Sequence, residues 1–260
     1  DRKKPILDYK LMVYLCEGPA SEKLEWFQTV NIAGVELAEQ EIRNAVYAGP
    51  WVSDAKRYFS RIVGPAYDVG GRYLEGSAIR QDHLETAIGW HAKALGATSR
   101  TSIEDYMGLR QHEPNANDLW LHFQGVIAWA KATFPTYRKE MKGLDWGALH
   151  MAHKDDRLDP AALETEVTRL MADEDVTRKK GVYEYVLDGQ ERHLNVRAFT
   201  ERQKREAFER QKGRCPKCKI RFEIGGMEAD HVTPWHEGGR TEAANCQMLC
   251  KDDNRRKGGA

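Results

Sequence analysis

The spacing of the cysteines constrains the fold of this chain more than any other feature. The sequence has five cysteines: Cys16 stands alone, and the other four lie between positions 215 and 250. An odd number in so uneven a distribution argues against a disulfide scaffold and favours a local metal site in a reducing compartment. A segment of about 45 residues buries too little apolar area to fold unaided, so a structural metal is expected there.

Composition limits the classes of partner. The chain has 260 residues, enough for one large domain or two small ones, and 41% of them are apolar. Because 40 Lys and Arg balance 40 Asp and Glu, any nucleic-acid-binding surface must be local. Residues 201–260 carry 14 Lys and Arg against 10 Asp and Glu, a net of +4. No apolar run reaches the length of a membrane span, so we expect no membrane partner and a cytoplasmic location.

The first 145 residues show the pattern of a helical region. Apolar residues recur at helical spacing, and Pro135 ends the last of the predicted helices. The predicted helices cover 22–30, 38–47, 81–95, 103–110 and 117–134, with a Gly- and Pro-rich turn region at 64–76. The Trp and Tyr side chains lie mostly on the apolar stripes, which predicts core packing rather than base stacking.

Residues 146–200 are predicted to link two domains. One surface helix is expected at 160–172, and a period-two alternation at 182–187 and 192–199 around Asp188-Gly189 predicts a β-hairpin. A charged helix follows at 201–212, with Gly213 in a C-cap position. The expected architecture is therefore α+β: a helical region at 1–145, a linker at 146–200 and a small metal-stabilised domain at 201–260.

The C-terminal segment combines several short motifs, each weak alone and strong together. They are Cys215-Pro-Lys-Cys218, Asp230-His231-Val-Thr-Pro234, Gly238-Gly239, Asn245, and Cys250-Lys-Asp-Asp253-Asn254-Arg-Arg-Lys257-Gly258. His231 is suited to act as a general base because the unperturbed pKa of histidine lies near neutrality. Asp230 and Asn254 supply the oxygen ligands that Mg²⁺ or Mn²⁺ prefers. The segment therefore has the groups that phosphodiester hydrolysis requires.

Residues 213–258 resemble an HNH endonuclease domain, which has the ββα-metal fold. The three signature positions map onto His231, Asn245 and Asn254; the last is Asn rather than His, a variant also found among active members. The resemblance implies cleavage of DNA with one divalent ion, leaving 5′-phosphate and 3′-hydroxyl ends. Asn245 is expected to brace the loop after His231 through hydrogen bonds to the main chain.

The cysteines of this segment look like ligands of a structural Zn²⁺. Four-cysteine members of the family carry Cys-x-x-Cys twice, whereas here the second pair reads Cys250-Lys-Asp-Asp253. Cys215, Cys218 and Cys250 are thus expected to bind zinc, with Asp253 in the fourth position. Cys246 and an open, hydrated position remain alternatives, although a buried apolar role is favoured for Cys246.

Basic residues follow directly after these candidate ligands. Arg255, Arg256 and Lys257 are predicted to contact phosphates; the alternative is a solvated helix end. His236 lies in the loop after Pro234 and is expected to be solvated or to face substrate rather than to bind metal.

A second resemblance covers the helical half. Glu25-Trp-Phe-Gln-Thr-Val-Asn31-Ile-Ala-Gly34 and the stretch through Arg43-Asn44 to Gly49 are similar to the later part of the ParB-like domain of GmrSD-type restriction proteins, several of which end in an HNH module. That family's Asp-Gly-Gln-Gln-Arg signature lies upstream of this part, so we expect the chain to be the C-terminal portion of a longer protein. Residues 188–192 have a sequence similar to this signature, but they lie just before the nuclease segment and no nucleotide-binding role is assigned to them. Asn31, Arg43 and Asn44 could have either of two roles. They could cap helices and form ion pairs or hydrogen bonds at the surface, or they could belong to a functional site.

Together the sequence predicts a metal-dependent DNA endonuclease acting in restriction or phage defence. Three alternatives stay open: a zinc-stabilised nucleic-acid-binding module without cleavage, an RNA nuclease, and an interaction protein in which the helical half matters most. Besides DNA, the expected partners are a second copy of the chain or its own upstream portion.

Overall fold

The computed structural model describes residues 37–99 and 102–258, together with 17–19, 22–23, 25–26 and 29. Two units are distinguished by their internal contacts: Asp1–Ala132 with Lys142–Asp155, and Thr133–Met141 with Asp156–Ala260. Residues 156–200, predicted to be a linker, therefore belong to the same unit as the C-terminal segment. No helix within the described residues combines the length and the apolar character needed to cross a membrane.

The first unit is helical. Its helices are α1 (Glu39–Val46), α2 (Pro50–Phe59), α3 (Pro65–Gly70), α4 (Asp82–Ala94), α5 (Ser102–Arg110), α6 (Asn117–Thr133) and α7 (Trp146–His153). Proline opens α2 and α3, where its missing N–H costs nothing and its fixed φ suits the first turn. Trp51, Phe59, Phe123 and Trp146 are almost fully buried and form the centre of the core.

Most of the helices predicted for this half are confirmed within a residue or two of their ends. The helix predicted at 22–30 falls largely outside the described residues. The turn region at 64–76 contains the short helix α3, which the Gly and Pro content concealed. Core packing is confirmed for Trp51, Trp90 and Tyr106, while Trp120 and Trp129 are only partly buried.

The second unit contains α8 (Pro160–Ala172), α9 (Val182–Asp188), α10 (Glu201–Arg210), β1 (Met227–His231), β2 (Cys246–Cys250) and α11 (Lys251–Gly258). Helices α8 and α10 match the predicted ones, and Gly213 follows α10 with a left-handed φ of 68°. Asp159 caps α8 by accepting hydrogen bonds from Ala161 and Ala162, and Thr200 caps α10 in the same way through Gln203.

The hairpin predicted at 182–199 is wrong. Residues 182–188 form α9, which packs on α8 and buries Val182 and Tyr183 completely. Gly189 ends this helix with a left-handed φ of 73°, and its N–H donates to the carbonyl of Tyr185 at 2.7 Å. The Asp-Gly pair that favours a hairpin turn is thus equally able to stop a helix, because both structures need a positive φ.

Strands β1 and β2 pair antiparallel and lead directly into α11, so the expected ββα order is confirmed. The register runs from Met227 opposite Cys250 to His231 opposite Cys246. Beneath the strands lies a small core of eight buried residues: Phe199, Ala207, Cys215, Met227, Cys246, Met248, Leu249 and Cys250. With these helices and this single hairpin, the chain has the expected α+β class.

Candidate functional site

A four-residue cluster joins the start and the end of the ββα segment. Cys215 and Cys218 come from the turn after α10, Cys250 ends β2, and Asp253 lies in the first turn of α11. All four ligand atoms lie within 4.8 Å of one another, and the described part of the chain holds no other group of this kind. Asp253 Oδ2 lies 3.2 Å from the sulfurs of Cys215 and Cys250. The Cys218 and Cys250 sulfurs are 3.9 Å apart, against about 3.8 Å for two thiolates on a tetrahedral zinc ion.

The crowding of these groups favours a cation. A backbone N–H of Asp253 favours the thiolate of Cys250, yet burial and the facing Asp253 and cysteine side chains raise its pKa to about 11. A bound Zn²⁺ would remove that penalty, since metal binding requires the thiolate. Cys246 is fully buried in β2, and burial raises its pKa. The structure therefore brings Asp253 to the three cysteines and leaves Cys246 outside the cluster.

A cleft of about 1120 Å³ lies beside β1. Glu228 and Asp230 reach it from the same face of β1, as residues two apart on a strand do. Asn254 and Lys257 reach it from successive turns of α11, and His231 joins them because β1 ends at that residue. Three residues predicted for the chemistry thus share one cavity: Asp230, His231 and Asn254.

Asp230 is held by two donors on one oxygen. Its Oδ2 accepts hydrogen bonds from Lys257 Nζ at 2.6 Å and from Gln247 Nε2 at 2.9 Å. Lys257 also donates to the carbonyl of His231 at 2.6 Å. Both bonds to the carboxylate use Oδ2, so Oδ1 remains available to a cation. Lys257, expected to contact phosphate, is therefore ion-paired to the candidate metal ligand.

Asn254 has its amide oriented by a carboxylate. Its Nδ2 donates to Glu228 Oε2 at 2.7 Å, and because a carboxylate only accepts, Oδ1 of Asn254 must face away from Glu228. The carboxylate of Asp230 and the side-chain carbonyl of Asn254, which line the same cleft, are both hard oxygen donors. Such a pair suits Mg²⁺ or Mn²⁺, which keep water and substrate phosphate as further ligands.

His231 has a half-buried imidazole at the end of β1. Burial lowers its pKa below the usual value, against the opposing effect of the Asp230 carboxylate. Its Nε2 lies 3.0 Å from Thr241 Oγ1, and the ring of Phe199 lies 4.4 Å away at a 45° tilt. None of the described residues forms a hydrogen bond with Nδ1, so in the tautomer that is protonated at Nε2 this nitrogen has a free lone pair.

Asn245 closes the loop between the strands. Its Oδ1 accepts from the N–H of Thr233 at 2.9 Å, and its Nδ2 donates to the carbonyls of Thr233 and Arg240 at 3.0 and 2.9 Å. The loop is tight: a Cβ on Gly239 would lie 1.9 Å from the Thr233 carbonyl oxygen. The side-chain to main-chain bonds expected of Asn245 are present.

The remaining predicted residues lie at the margins. Arg255 and Arg256 are exposed on α11, with Arg256 3.5 Å from Asp253 Oδ1. His236 pairs with Glu191 at 2.5 Å on the wall of the cleft. Glu191 belongs to the 188–192 stretch, which forms the end of α9 and a short 3-10 turn rather than a hairpin turn.

Two polar residues of the first unit, for which surface pairing was one of the predicted roles, are largely buried. Arg43 is only 11% exposed and forms ion pairs with Glu39, Glu85 and Glu104 at 2.8, 2.7 and 2.5 Å. Asn44 is buried and hydrogen-bonds to the side chains of Gln40 and Gln81. Both stabilise the interior, while Asn31 lies outside the described residues.

Sequence reasoning missed four residues that touch the site. Glu228 could have been found, since it stands two positions before Asp230 and alternate residues of a strand share a face. Thr241, Phe199 and Asp175 carry no local signal, because their relation to His231 depends on contacts between distant parts of the chain.

Comparison with known proteins identifies one segment. Residues 215–259 match the family model described as HNH endonuclease. No curated protein and no solved structure matches the chain. The C-terminal segment is therefore an HNH domain, of a nuclease family whose members typically cleave DNA and depend on a metal ion.

Proposed function

We propose that the second unit is an endonuclease that hydrolyses phosphodiester bonds in DNA with the help of Mg²⁺ or Mn²⁺. One observation carries the proposal: the imidazole of His231, whose pKa is lowered by burial, shares a cleft with the oxygen donors of Asp230 and Asn254. A base beside a hard-cation site is the pairing that metal-assisted hydrolysis requires.

The chemistry follows from the free atoms of these side chains. Nδ1 of His231 takes a proton from a water molecule as its oxygen bonds to phosphorus. The bond from phosphorus to the 3′ oxygen breaks, and the departing oxygen leaves with the electron pair. The divalent ion, held by Oδ1 of Asp230 and Oδ1 of Asn254, would stabilise the charge on that oxygen. Glu228 keeps the Asn254 amide turned for this purpose.

The second metal has a structural role in this proposal. Zn²⁺ bound by Cys215, Cys218, Cys250 and Asp253 ties the turn after α10 to the junction of β2 and α11. Because Asp253 directly precedes Asn254, the same ion fixes the start of the helix that carries Asn254 and Lys257. Arg255 and Arg256, exposed on that helix, are placed to contact neighbouring phosphates.

The biological setting rests on resemblance. The similarity of residues 25–49 to GmrSD-type proteins supports a role in restriction or phage defence, where a DNA endonuclease is the active component. A cysteine cluster arranged for a metal rather than for a disulfide fits a reducing compartment such as the cytoplasm.

The test uses the full chain loaded with Zn²⁺ and freed of other ions by desalting, because a chelator would also strip the structural site. Supercoiled plasmid and a single-stranded RNA are each incubated with and without Mg²⁺ or Mn²⁺. We expect nicked or linear plasmid only when the divalent ion is present. Plasmid that is bound by the protein but not cut would identify a DNA-binding module. Cleavage of the RNA alone would identify a ribonuclease.

A further inference from the structure

The segment 173–177 lies outside the HNH match, yet it is connected to two sides of the catalytic histidine. Asp173 and Asp175 are 8% and 7% exposed, an unusual burial for carboxylates, which must then find hydrogen-bond donors. Asp173 accepts from the N–H of Asp175 at 3.0 Å, so the two side chains belong to one local turn.

The first connection runs through the loop between the strands. Asp175 Oδ2 accepts from the N–H of Thr241 at 2.9 Å, and Asp173 Oδ1 pairs with Arg240 at 2.9 Å. Gln203 on α10 donates to the carbonyl of Thr241 at 3.2 Å. The backbone of Thr241 is therefore held at both its N–H and its carbonyl, which fixes the hydroxyl that meets Nε2 of His231.

The second connection runs through the strand-like stretch before α10. The carbonyl of Asp175 accepts from the N–H of Arg197 at 2.7 Å, and Val176 bridges Val196. This pairing fixes the stretch that leads to Phe199, whose ring packs against His231. One residue, Asp175, is thus connected to both neighbours of the imidazole: to Thr241 directly through its carboxylate, and to Phe199 indirectly through the N–H of Arg197, two residues earlier in the chain.

We propose that Asp175 is a positioning residue for His231, and that the active site of this nuclease extends into residues 173–199. A base needs a defined ring orientation and a free lone pair. When Nε2–H of His231 donates to Thr241 Oγ1, the lone pair lies on Nδ1, and the same bond holds the imidazolium after proton transfer. A hydroxyl that is free to move would fix neither the ring nor the tautomer. This inference rests on the proposed role of His231 as the base.

The test compares Asp175→Ala with Asp175→Asn in the full, zinc-loaded chain. Alanine removes the acceptor for the Thr241 N–H, whereas asparagine keeps an acceptor oxygen. We expect alanine to lower the single-turnover rate by about 10- to 100-fold, with DNA affinity unchanged, because a small misplacement of a reacting group has effects of that size. Asparagine should restore most of the rate.

A matched control separates positioning from general destabilisation. Asp159→Ala removes another carboxylate of the same unit, one that caps α8 and makes no contact with His231. It should lower the urea concentration at the midpoint of unfolding and leave the cleavage rate of the folded protein unchanged. If Asp175→Ala behaves like this control, or if Asp175→Asn is as slow as Asp175→Ala, the proposal is overturned.

A second readout does not depend on cleavage. Long-range ¹⁵N–¹H NMR of the labelled histidines reports which ring nitrogen carries the proton, and His231→Ala identifies the signals of interest. We expect one tautomer, protonated at Nε2, in the wild type and in Thr241→Ser, and a mixture in Thr241→Val and Asp175→Ala. Unchanged His231 signals in the last two variants would refute the positioning role. Full activity of His231→Ala would instead refute the base assignment in the proposed function.

Discussion

The ammonium group of Lys257 and a bound divalent cation would compete for the carboxylate of Asp230. That ammonium group bonds to Asp230 Oδ2, and the same carboxylate is the proposed ligand of the divalent ion. A positive charge so close to a cation site weakens cation binding, while it also neutralises the carboxylate when no cation is bound. Lys257 is therefore expected to lower the affinity for a cation, in addition to the phosphate contact predicted for it.

We predict opposite effects of Lys257→Met on two quantities. Affinity for Mn²⁺, measured by electron paramagnetic resonance of the free ion, should rise by about 10-fold, because a repulsive charge a few ångströms away is removed. Affinity for DNA should fall. Lys251→Met, which removes an exposed lysine from the same helix, is the control and should leave Mn²⁺ affinity unchanged. An unchanged or lower Mn²⁺ affinity in Lys257→Met would contradict this description of the site.

Asn254→Ala should weaken activity mainly through loss of the cation. The side chain supplies one of the two proposed oxygen ligands, so the Mg²⁺ concentration needed for half-maximal rate should rise. Higher Mg²⁺ or Mn²⁺ should recover part of the rate. A rate that falls without any change in its dependence on the ion would show that Asn254 is not a ligand.

At the residue scale, the sequence predicts what is local and misses what is distant. Asp230, His231 and Asn254 stand in short motifs whose spacing identifies them. Thr241 and Asp175 are 66 positions apart and touch only because the unit folds. Single residues of common type carry no pattern that reveals such a contact.

At the scale of elements, the cluster of Cys215, Cys218, Cys250 and Asp253 joins the parts of the ββα segment. The core beneath the hairpin consists of eight buried residues, three of them cysteines, so apolar burial there is small. The cluster adds a link among three elements that already contact one another: the turn after α10, β2 and α11. We infer that folding of this segment depends on the metal.

Cys215→Ser should therefore lose zinc and unfold residues 213–258, while the helical first unit stays folded. Elemental analysis gives the zinc content, and proteolysis followed by mass spectrometry locates the unfolded segment. Asp253→Cys should keep zinc, since a thiolate is the more common ligand in structural sites. The matched control is Cys246→Ser, which alters a buried cysteine outside the cluster and should keep one zinc per chain. A zinc-free preparation that is folded and active would contradict this role.

Helices were predictable where long amphipathic repeats and caps agree, as in α8, whose Asp159-Pro160 start marks its boundary. Residues 182–199 were not, because a short alternating run with an Asp-Gly pair fits a hairpin and a helix equally well. The difference lies in packing: α9 buries Val182 and Tyr183 in the second unit. Propensity over seven residues is too weak to anticipate that choice.

In the whole molecule, the first unit contains three histidines that pack against one another. His91 stacks on His122 at 4.6 Å, and His150 meets His122 edge-on at 6.2 Å. Nδ1 of His122 is buried with no hydrogen-bond partner. Burial lowers the pKa of His122 to about 4, with the neighbouring His91, His150 and Lys154 acting in the same direction. The folded unit therefore keeps this ring neutral at pH values where the unfolded chain protonates it.

The free energy of unfolding should consequently fall as pH drops from about 6.5 towards 4, since the unfolded state binds more protons in that window. Above neutral pH this histidine should have no effect. His122→Phe should flatten the slope. Urea unfolding followed by tryptophan fluorescence reports mainly the first unit, which holds every tryptophan except Trp235. Equal slopes in the parent and the variant would show that the buried ring is not responsible.

His231 is proposed to be the base of a metal-dependent DNA hydrolysis. The single-turnover rate of DNA cleavage measures this role without a contribution from product release. Zinc-loaded wild type and His231→Ala are each mixed in excess with a labelled DNA duplex at saturating Mg²⁺. The account predicts a rate about 10²- to 10⁴-fold lower in the variant, the usual contribution of a general base, with zinc content and DNA affinity unchanged. A variant that cleaves at the parent's rate would contradict it.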